Sequence, residues 1–501
     1  MIKKIISVLP LFFILSCLKP VQKIQKEKTD NRPNILFIFT DDQSHRTVSC
    51  YPEAYDFVKT PHIDSLAEKG VRFSSGYMSP WCMVSRCTML TGHHQYGIDS
   101  MKMTDPYPSA TYDPKKCPFW PATFRSHGYY TGMIGKWHTG TDTGFGRDWD
   151  YQAVWNRPRY IKNQFNYYYD QLIEFNGGGP KLIKGYSTDN YTNWAVDFIN
   201  GKSREDTEKP WYLWLCYSAI HKQFTPAKRH KDSYKNAHMD LPSDIFGPRP
   251  DKPAYMQGSK FTKGPDLQAE VNHWLEIYQA GTLAIDEGVG RLVQALKETS
   301  QYDNTLIIYC SDQGFAIGHH GFRNKVAPYD ETILSPTIFS MPKRIASGQV
   351  CEHPVSGVDI VPTIFSFAEI ELPWKMHGQD LSPLLNNPKA QWNHPAFLVH
   401  TGDHFGDAAT LINVKPERRN RVGYPWYFMY RKKNYKFIRY GIAEIEEFYD
   451  LDKDPGELKN LINKPELKSM IDEYRKECFT EMKRTDCPFD PKDLPTAKKL
   501  K

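Results

Sequence analysis

The sequence contains no Cys-x-x-Cys pair, which removes zinc-ribbon and thioredoxin-like readings at the outset. It also lacks an apolar run of the ~20 residues that a membrane-spanning helix needs. Excess charge of one sign is scarce: 64 Lys and Arg face 58 Asp and Glu, a net charge of +6. The lysines are spread along the chain with short clusters at each end, so no basic stripe offers nucleic acid a surface. No internal repeat is visible, and no low-complexity tract beyond the lysine-rich tail, which excludes a solenoid. What remains is an ordinary globular composition, 40% hydrophobic and 24% charged. Its 501 residues suit a few domains or one large α/β enzyme. Aromatics are generous, with 12 Trp and 30 Tyr, and a surplus of this kind suits a cleft that stacks sugar rings.

The N-terminus carries information about compartment. Lys3-Lys4 precede the apolar stretch Ile5 to Ser16, and Cys17 follows directly. A basic start, a short apolar core and a small residue before the break describe a signal peptide over residues 1–16. Ile14-Leu15-Ser16-Cys17 resembles a bacterial lipobox, which makes Cys17 a lipidation site and the only expected link to a membrane. The expected location is the periplasm or the cell surface. A polar, lysine-rich tether over residues 17–32 leads to the folded body. Of the ten cysteines, Cys216 and Cys310 sit inside apolar runs and are expected to be buried free thiols.

The body opens with the apolar run Asn34 to Phe39, and similar runs recur at Tyr130 to Ile134, Trp211 to Tyr217 and Thr305 to Cys310. Continuous runs of this length read as strands buried on both faces of a parallel sheet. Helix-like segments lie between them, at Asp64 to Lys69 and at Thr282 to Thr299. The expected fold is α/β, a large and mostly parallel sheet sandwiched by helices over residues 33–388. Past Pro388 the pattern changes to a smaller α+β subdomain over residues 389–490, followed by a basic tail over 491–501. Segments 142–185 and 234–265, rich in Tyr, Trp, Lys and Arg, read as long loops on a cleft rim.

Each expected strand is followed by chemistry. The first ends in Asp41-Asp42, the second in Lys136 and His138, the third leads to His221, and the fourth ends in Asp312-Gln313. Ligands of open α/β sheets bind at the carboxyl ends of the strands, so these residues share one edge. Asp41, Asp42, Asp312 and Gln313 are hard oxygen donors, a set that favours Ca2+ or Mg2+ over zinc. Arg86, Lys136 and Lys325 are cations that would neutralise a tetrahedral oxyanion beside such a metal.

The stretch Cys82-Met83-Val84-Ser85-Arg86, followed by Leu90-Thr91-Gly92, resembles the type I sulfatase motif Cys/Ser-x-Pro/Ala-x-Arg followed by Leu-x-Gly. Asn34 to Asp42, Thr60 to Ala67, Gly135-Lys136-Trp137-His138, and Ser311-Asp312-Gln313-Gly314 with His320-Gly321 and Lys325 resemble further elements of that family. So does the stretch from Tyr449-Asp450-Leu451 through Asp454-Pro455 and Glu457 to Asn460-Leu461. The matches run from about residue 32 to about residue 465, in the family's order. The resemblance implies the alkaline-phosphatase-like fold and a sulfuric ester hydrolase. It implies that a maturation enzyme oxidises Cys82 to formylglycine, and that one Ca2+ is held by Asp41, Asp42, Asp312, Gln313 and residue 82. Arg86 would hold the hydrated aldehyde, with Lys136 and Lys325 on the sulfate oxygens. His138 would take a proton from residue 82, and His221 would protonate the leaving oxygen. His320 and Arg323 are expected to touch the substrate, a sulfated carbohydrate such as an algal polysaccharide (ulvan, carrageenan, fucoidan) or a glycosaminoglycan. Val84 departs from the family's Pro or Ala, which puts the conversion of Cys82 in question. Two alternatives stand beside this reading: a phosphate- or phosphonate-ester hydrolase of the same superfamily, and a non-catalytic lipoprotein that captures sulfated glycans.

Overall fold

The computed structural model describes residues 31–102, 110–163, 165–406, 420–421, 424–441 and 445–488. The expected signal peptide, Cys17, nearly all of the tether, and the basic tail lie outside the described residues. Each apolar run becomes a buried strand. In chain order these are β1 (Asn34–Thr40), β2 (Gly70–Tyr77), β3 (Tyr130–Trp137), β4 (Tyr151–Asn156), β5 (Tyr169–Phe175), β6 (Pro180–Tyr186), β7 (Trp211–Cys216) and β8 (Thr305–Ser311). The sheet's centre has the order β8-β1-β7-β3-β4 and is parallel throughout. Antiparallel strands flank it: Leu334–Ser340 between β8 and β2 on one side, β5 and β6 on the other. The four runs that carry chemistry are therefore immediate neighbours.

Alternation along β1 divides the core. Ile35, Phe37 and Phe39 join one hydrophobic cluster, while Leu36 and Ile38 join another on the opposite face. Helices α1 (Pro61–Glu68), α4 (Ser187–Ile199) and α5 (Leu267–Glu298) bury residues in the second cluster. The first cluster takes α2 (Cys82–Thr91), α3 (Pro121–Ser126) and the helix Ile360–Ala368. All ten residues of α2 are buried, the mark of a helix enclosed on every side. It stops at Gly92, whose φ of 73° supplies the left-handed turn that ends helices without a side-chain penalty. Among the described residues, no helix is long and apolar enough to cross a membrane.

Towards the C-terminus, strands Ala396–His400, Tyr427–Lys432, Tyr435–Tyr440 and Glu446–Asp450 form an antiparallel sheet. Helix Lys468–Arg484 covers it through Ile471, Tyr474, Cys478 and Met482. Buried Lys436 on this sheet donates to Glu457 at 2.7 Å and to Asp330 at 2.5 Å, fixing the sheet to the loop that follows Lys325.

Three expectations change. Residues 142–185 are not one rim loop: they hold β4, β5 and most of β6, and Ala153, Val154 and Trp155 are fully buried. Their aromatic content serves the core more than the rim. The helix expected from Thr282 begins a good four turns earlier, at Leu267. β3 also runs past Ile134 to Trp137, so Lys136 lies within the strand. Gly135 permits this, because it adopts a φ of 100° and a Cβ there would collide with the Cys216 carbonyl of β7. Cys216 and Cys310 are buried free thiols, as expected.

Candidate active site

The backbone ladder continues beyond the strand ends and sets the site. Thr40 pairs with Ser311 in β1 and β8, so Asp41 and Asp312 are the next residues of adjacent strands. The Asp312 amide donates to the Thr40 carbonyl at 3.0 Å, and the Asp41 amide to the Ala219 carbonyl at 3.0 Å. Asp42 turns left-handed, with a φ of 57°, and its amide donates to Asp312 Oδ1 at 2.9 Å. Tyr278 of α5 donates to the Asp42 carbonyl at 2.5 Å and holds that turn.

Helix α2 approaches the same edge end-on. Cys82 is its first residue, 4% exposed, with Sγ 3.3 Å from His138 Nδ1 and 3.7 Å from Lys325 Nζ. One turn later, Arg86 donates to the Lys136 carbonyl at 3.0 Å and to Asp312 Oδ2 at 3.3 Å, and lies 3.9 Å from Asp41 Oδ2. Ser85 donates to the Asp312 carbonyl at 2.6 Å. The i, i+4 spacing thus turns the Cys82 thiol and the Arg86 guanidinium towards the same carboxylates. Lys136 bonds Asp41, while Lys325 and Gln313 bond Asp42.

Three buried carboxylates face three buried or half-buried cations here, and their proton affinities separate. Burial opposes the charge of Asp41, but Lys136, His221, Arg86 and Lys325 outweigh it and hold the carboxyl well below the usual range. Burial and the neighbouring Asp41 charge push Asp312 well above that range. Burial also pushes down His138, with Arg157, Lys136, Arg86 and Lys325 adding repulsion. His221 falls to about 4 through burial, partly offset by Asp42 and Asp41. Its Nε2 lies 3.8 Å from Asp42 Oδ2, and its Nδ1 is 3.0 Å from the Lys222 carbonyl.

The oxygen donors have the chemistry of a hard-cation site. Asp41, Cys82 and Asp312 each offer a ligand atom within 4.8 Å of the others, and so do Asp41, Asp42 and His221. Asp41 Oδ1 and Gln313 Oε1 are buried oxygens without a hydrogen-bond partner, acceptors that a cation would satisfy.

Asp41, Asp42, Cys82, Arg86, Lys136, His138, His221, Asp312, Gln313 and Lys325 therefore converge, whereas His320 and Arg323 do not join them. His320 is 1% exposed, and its Nδ1 lies 2.9 Å from Asp244. Arg323 lies over Trp274 at 4.2 Å and pairs with Glu270 at 3.1 Å. Two residues absent from the sequence reading do border the site. Arg157 Nη1 is 2.7 Å from His138 Nε2, and Tyr167 stacks on His221 with ring centroids 4.0 Å apart. Arg157 directly follows β4, so recognising that strand would have placed it at the same edge.

A carboxylate cluster ringed by one arginine and two lysines, at the carboxyl edge of a parallel sheet, suits an enzyme that handles a tetrahedral oxyanion. Residues 33–370 match the Sulfatase family, and residues 318–484 match the family N-sulphoglucosamine sulphohydrolase, C-terminal. The chain belongs to the sulfatase family and is a sulfuric ester hydrolase. It is 27% identical to the N-acetylglucosamine-6-O-sulfatase of Bacteroides thetaiotaomicron, over 90% of this chain and 86% of that one. A solved structure of a protein in complex with its substrate D-glucosamine-2-N,6-O-disulfate superposes with a TM-score of 0.77. It shares 24% identity, over 91% of this chain and 98% of the other. The phosphonate monoester hydrolase of Agrobacterium radiobacter shares the fold, with a TM-score of 0.67 and 19% identity, over 91% and 96% of the two chains.

Proposed function

We propose that the chain removes sulfate from a sulfated carbohydrate at residue 82. The observation that carries this reading is the meeting of Cys82, three carboxylates, three cations and two histidines at one sheet edge. Asp41, Asp42, Asp312, Gln313 and residue 82 would hold one Ca2+, which when bound supplies positive charge to polarise a sulfate oxygen. Formylglycine at residue 82 would supply a hydrated aldehyde as nucleophile. Arg86 orients residue 82 from one helical turn away. Lys136 and Lys325, which compensate Asp41 and Asp42 in this structure, would take sulfate oxygens. His221 keeps Nδ1 on the Lys222 carbonyl, so Nε2 is the nitrogen that would take up a second proton and pass it to the leaving sugar oxygen. Val84 is 1% exposed inside α2, so a maturation enzyme must read this stretch before the chain folds. The start of the sequence supports export, with lipidation at Cys17.

The relatives point to an amino sugar bearing a 6-O-sulfate as the first substrate to test. The purified chain is assayed for sulfate release from 6-O-sulfated glucosamine, from ulvan, carrageenan, fucoidan and glycosaminoglycan oligosaccharides, and beside them on a phosphonate monoester. A sulfated sugar should give the highest kcat/KM. Turnover of the phosphonate ester with none of the sulfated sugars would replace this reading with the phosphonate hydrolase one, which the shared fold also supports.

A further inference from the structure

Lys325 reaches the site from a segment whose backbone is strained one residue later. Its side chain is 14% exposed; the ammonium bonds Asp42 and lies 3.7 Å from Cys82 Sγ. Val326 follows with a φ of 89°. A positive φ crowds Cβ against the backbone, most of all in a β-branched residue, so it persists only where the surroundings impose it. This φ is also the rotation that joins the Lys325 peptide to the residues beyond it. A return to an ordinary negative φ would turn that peptide by roughly 130–150° and carry the ammonium away from Asp42.

The constraint comes from the C-terminal antiparallel sheet. Tyr427, fully buried at the start of the strand Tyr427–Lys432, donates its hydroxyl to the Val326 carbonyl at 2.5 Å. That strand is interior to its sheet, and Tyr427 pairs with His400 on one side and Tyr440 on the other. The residues after Val326 are held too. Thr332 donates to the Tyr329 carbonyl at 2.8 Å, and Glu457 accepts from the Asp330 amide at 2.6 Å. Val326 is 5% exposed and Ala327 fully buried, so water cannot replace the Tyr427 hydroxyl without opening the contact.

We propose that Tyr427 is a positioning residue for sulfate-ester hydrolysis: its hydroxyl holds Val326 at positive φ, and Val326 aims Lys325 at Asp42 and residue 82. The proposal rests on Lys325 taking a sulfate oxygen. It makes the C-terminal sheet a working part of the site, because one hydroxyl on that sheet decides where a cation of the site stands.

The test compares Tyr427→Phe, Val326→Gly, the double variant and Lys325→Met with the unsubstituted chain, all produced with a formylglycine-generating maturation enzyme. Each is assayed on 6-O-sulfated glucosamine, with Tm recorded beside it, and crystal structures are solved for the unsubstituted chain and Tyr427→Phe. Tyr427→Phe should move the Lys325 ammonium off Asp42 and lower kcat/KM about tenfold, since small misplacements of a positioned group have effects of this size. Val326→Gly alone should stay within about twofold, because glycine adopts a positive φ without strain. Placed on Tyr427→Phe, it should recover most of the loss, a rescue that a merely structural role for Tyr427 would not produce. An unmoved Lys325 in Tyr427→Phe would overturn the proposal, and so would a double variant as impaired as Tyr427→Phe. Full activity in Tyr427→Phe beside an impaired Lys325→Met would overturn this proposal alone. Full activity in Lys325→Met would overturn both it and the sulfate-binding role of Lys325. If 6-O-sulfated glucosamine is not turned over, the two crystal structures still decide whether Tyr427 sets Lys325.

Discussion

Replacing Arg86 by Met removes the one guanidinium that joins α2 to β3 and β8. The side chain is fully buried, and it serves Asp312 at 3.3 Å, the Lys136 carbonyl at 3.0 Å and Asp41 at 3.9 Å. Met fills a similar volume, so the loss is electrostatic more than steric. Breaking a buried ion pair by removing one partner costs about 3–5 kcal/mol, because the other charge stays buried. An unfolding entropy of about 2.1 cal/mol/K per residue, taken over Arg32–Lys501, gives about 1 kcal/mol/K. Arg86→Met should therefore lower Tm by about 3–5 °C in EDTA, read by scanning calorimetry. Arg86→Lys keeps the charge without the two-pronged geometry and should fall between. Calcium in excess should narrow the gap, since it neutralises the same carboxylates. A Tm in EDTA within about 1 °C of the unsubstituted chain would refute the claim that Arg86 compensates this cluster.

Calcium itself should raise the Tm of EDTA-stripped protein by about 3 °C at a hundredfold excess over its dissociation constant, and Asp312→Asn should abolish most of that rise. His94 is 5% exposed, and burial, with Arg484 and His93, pushes its imidazole down to about 3. The folded chain then binds fewer protons than the unfolded one between about pH 6.5 and pH 3, so stability is complete above 6.5 and drains as pH falls. His94 contributes a slope of up to about 1.4 kcal/mol per pH unit in that window, which His94→Gln should remove from urea unfolding curves. Lys436→Met leaves Glu457 and Asp330 without their shared cation and should cost about 3–5 kcal/mol. Adding Glu457→Gln should recover part of the loss, giving a double-mutant cycle that is not additive.

The sheet's centre was legible because strands buried on both faces are written as unbroken apolar runs, and Asn34 to Phe39 is one. The carboxylates, Lys136 and the histidines that meet at the sheet edge were legible because strand ends deliver them in a fixed order along the chain. The β4 segment was not: Tyr151 to Asn156 mixes aromatic and polar residues, and its burial comes from neighbours distant in sequence. Missing that strand hid Arg157. The pairing of His320 with Asp244 was hidden for a related reason, since a motif position says nothing about a partner 76 residues away. The contact of Arg157 with His138 has no sequence signature, because 19 residues and a strand separate the two.

The most direct test of the central claim is sulfate release by the purified chain and by its Cys82→Ala variant, both produced with a formylglycine-generating maturation enzyme. Sulfated saccharides are the substrates, and the peptide spanning residue 82 is weighed in the same samples. The account predicts an aldehyde at residue 82 in the active protein and no sulfate release from Cys82→Ala. Equal release from the two proteins would contradict it.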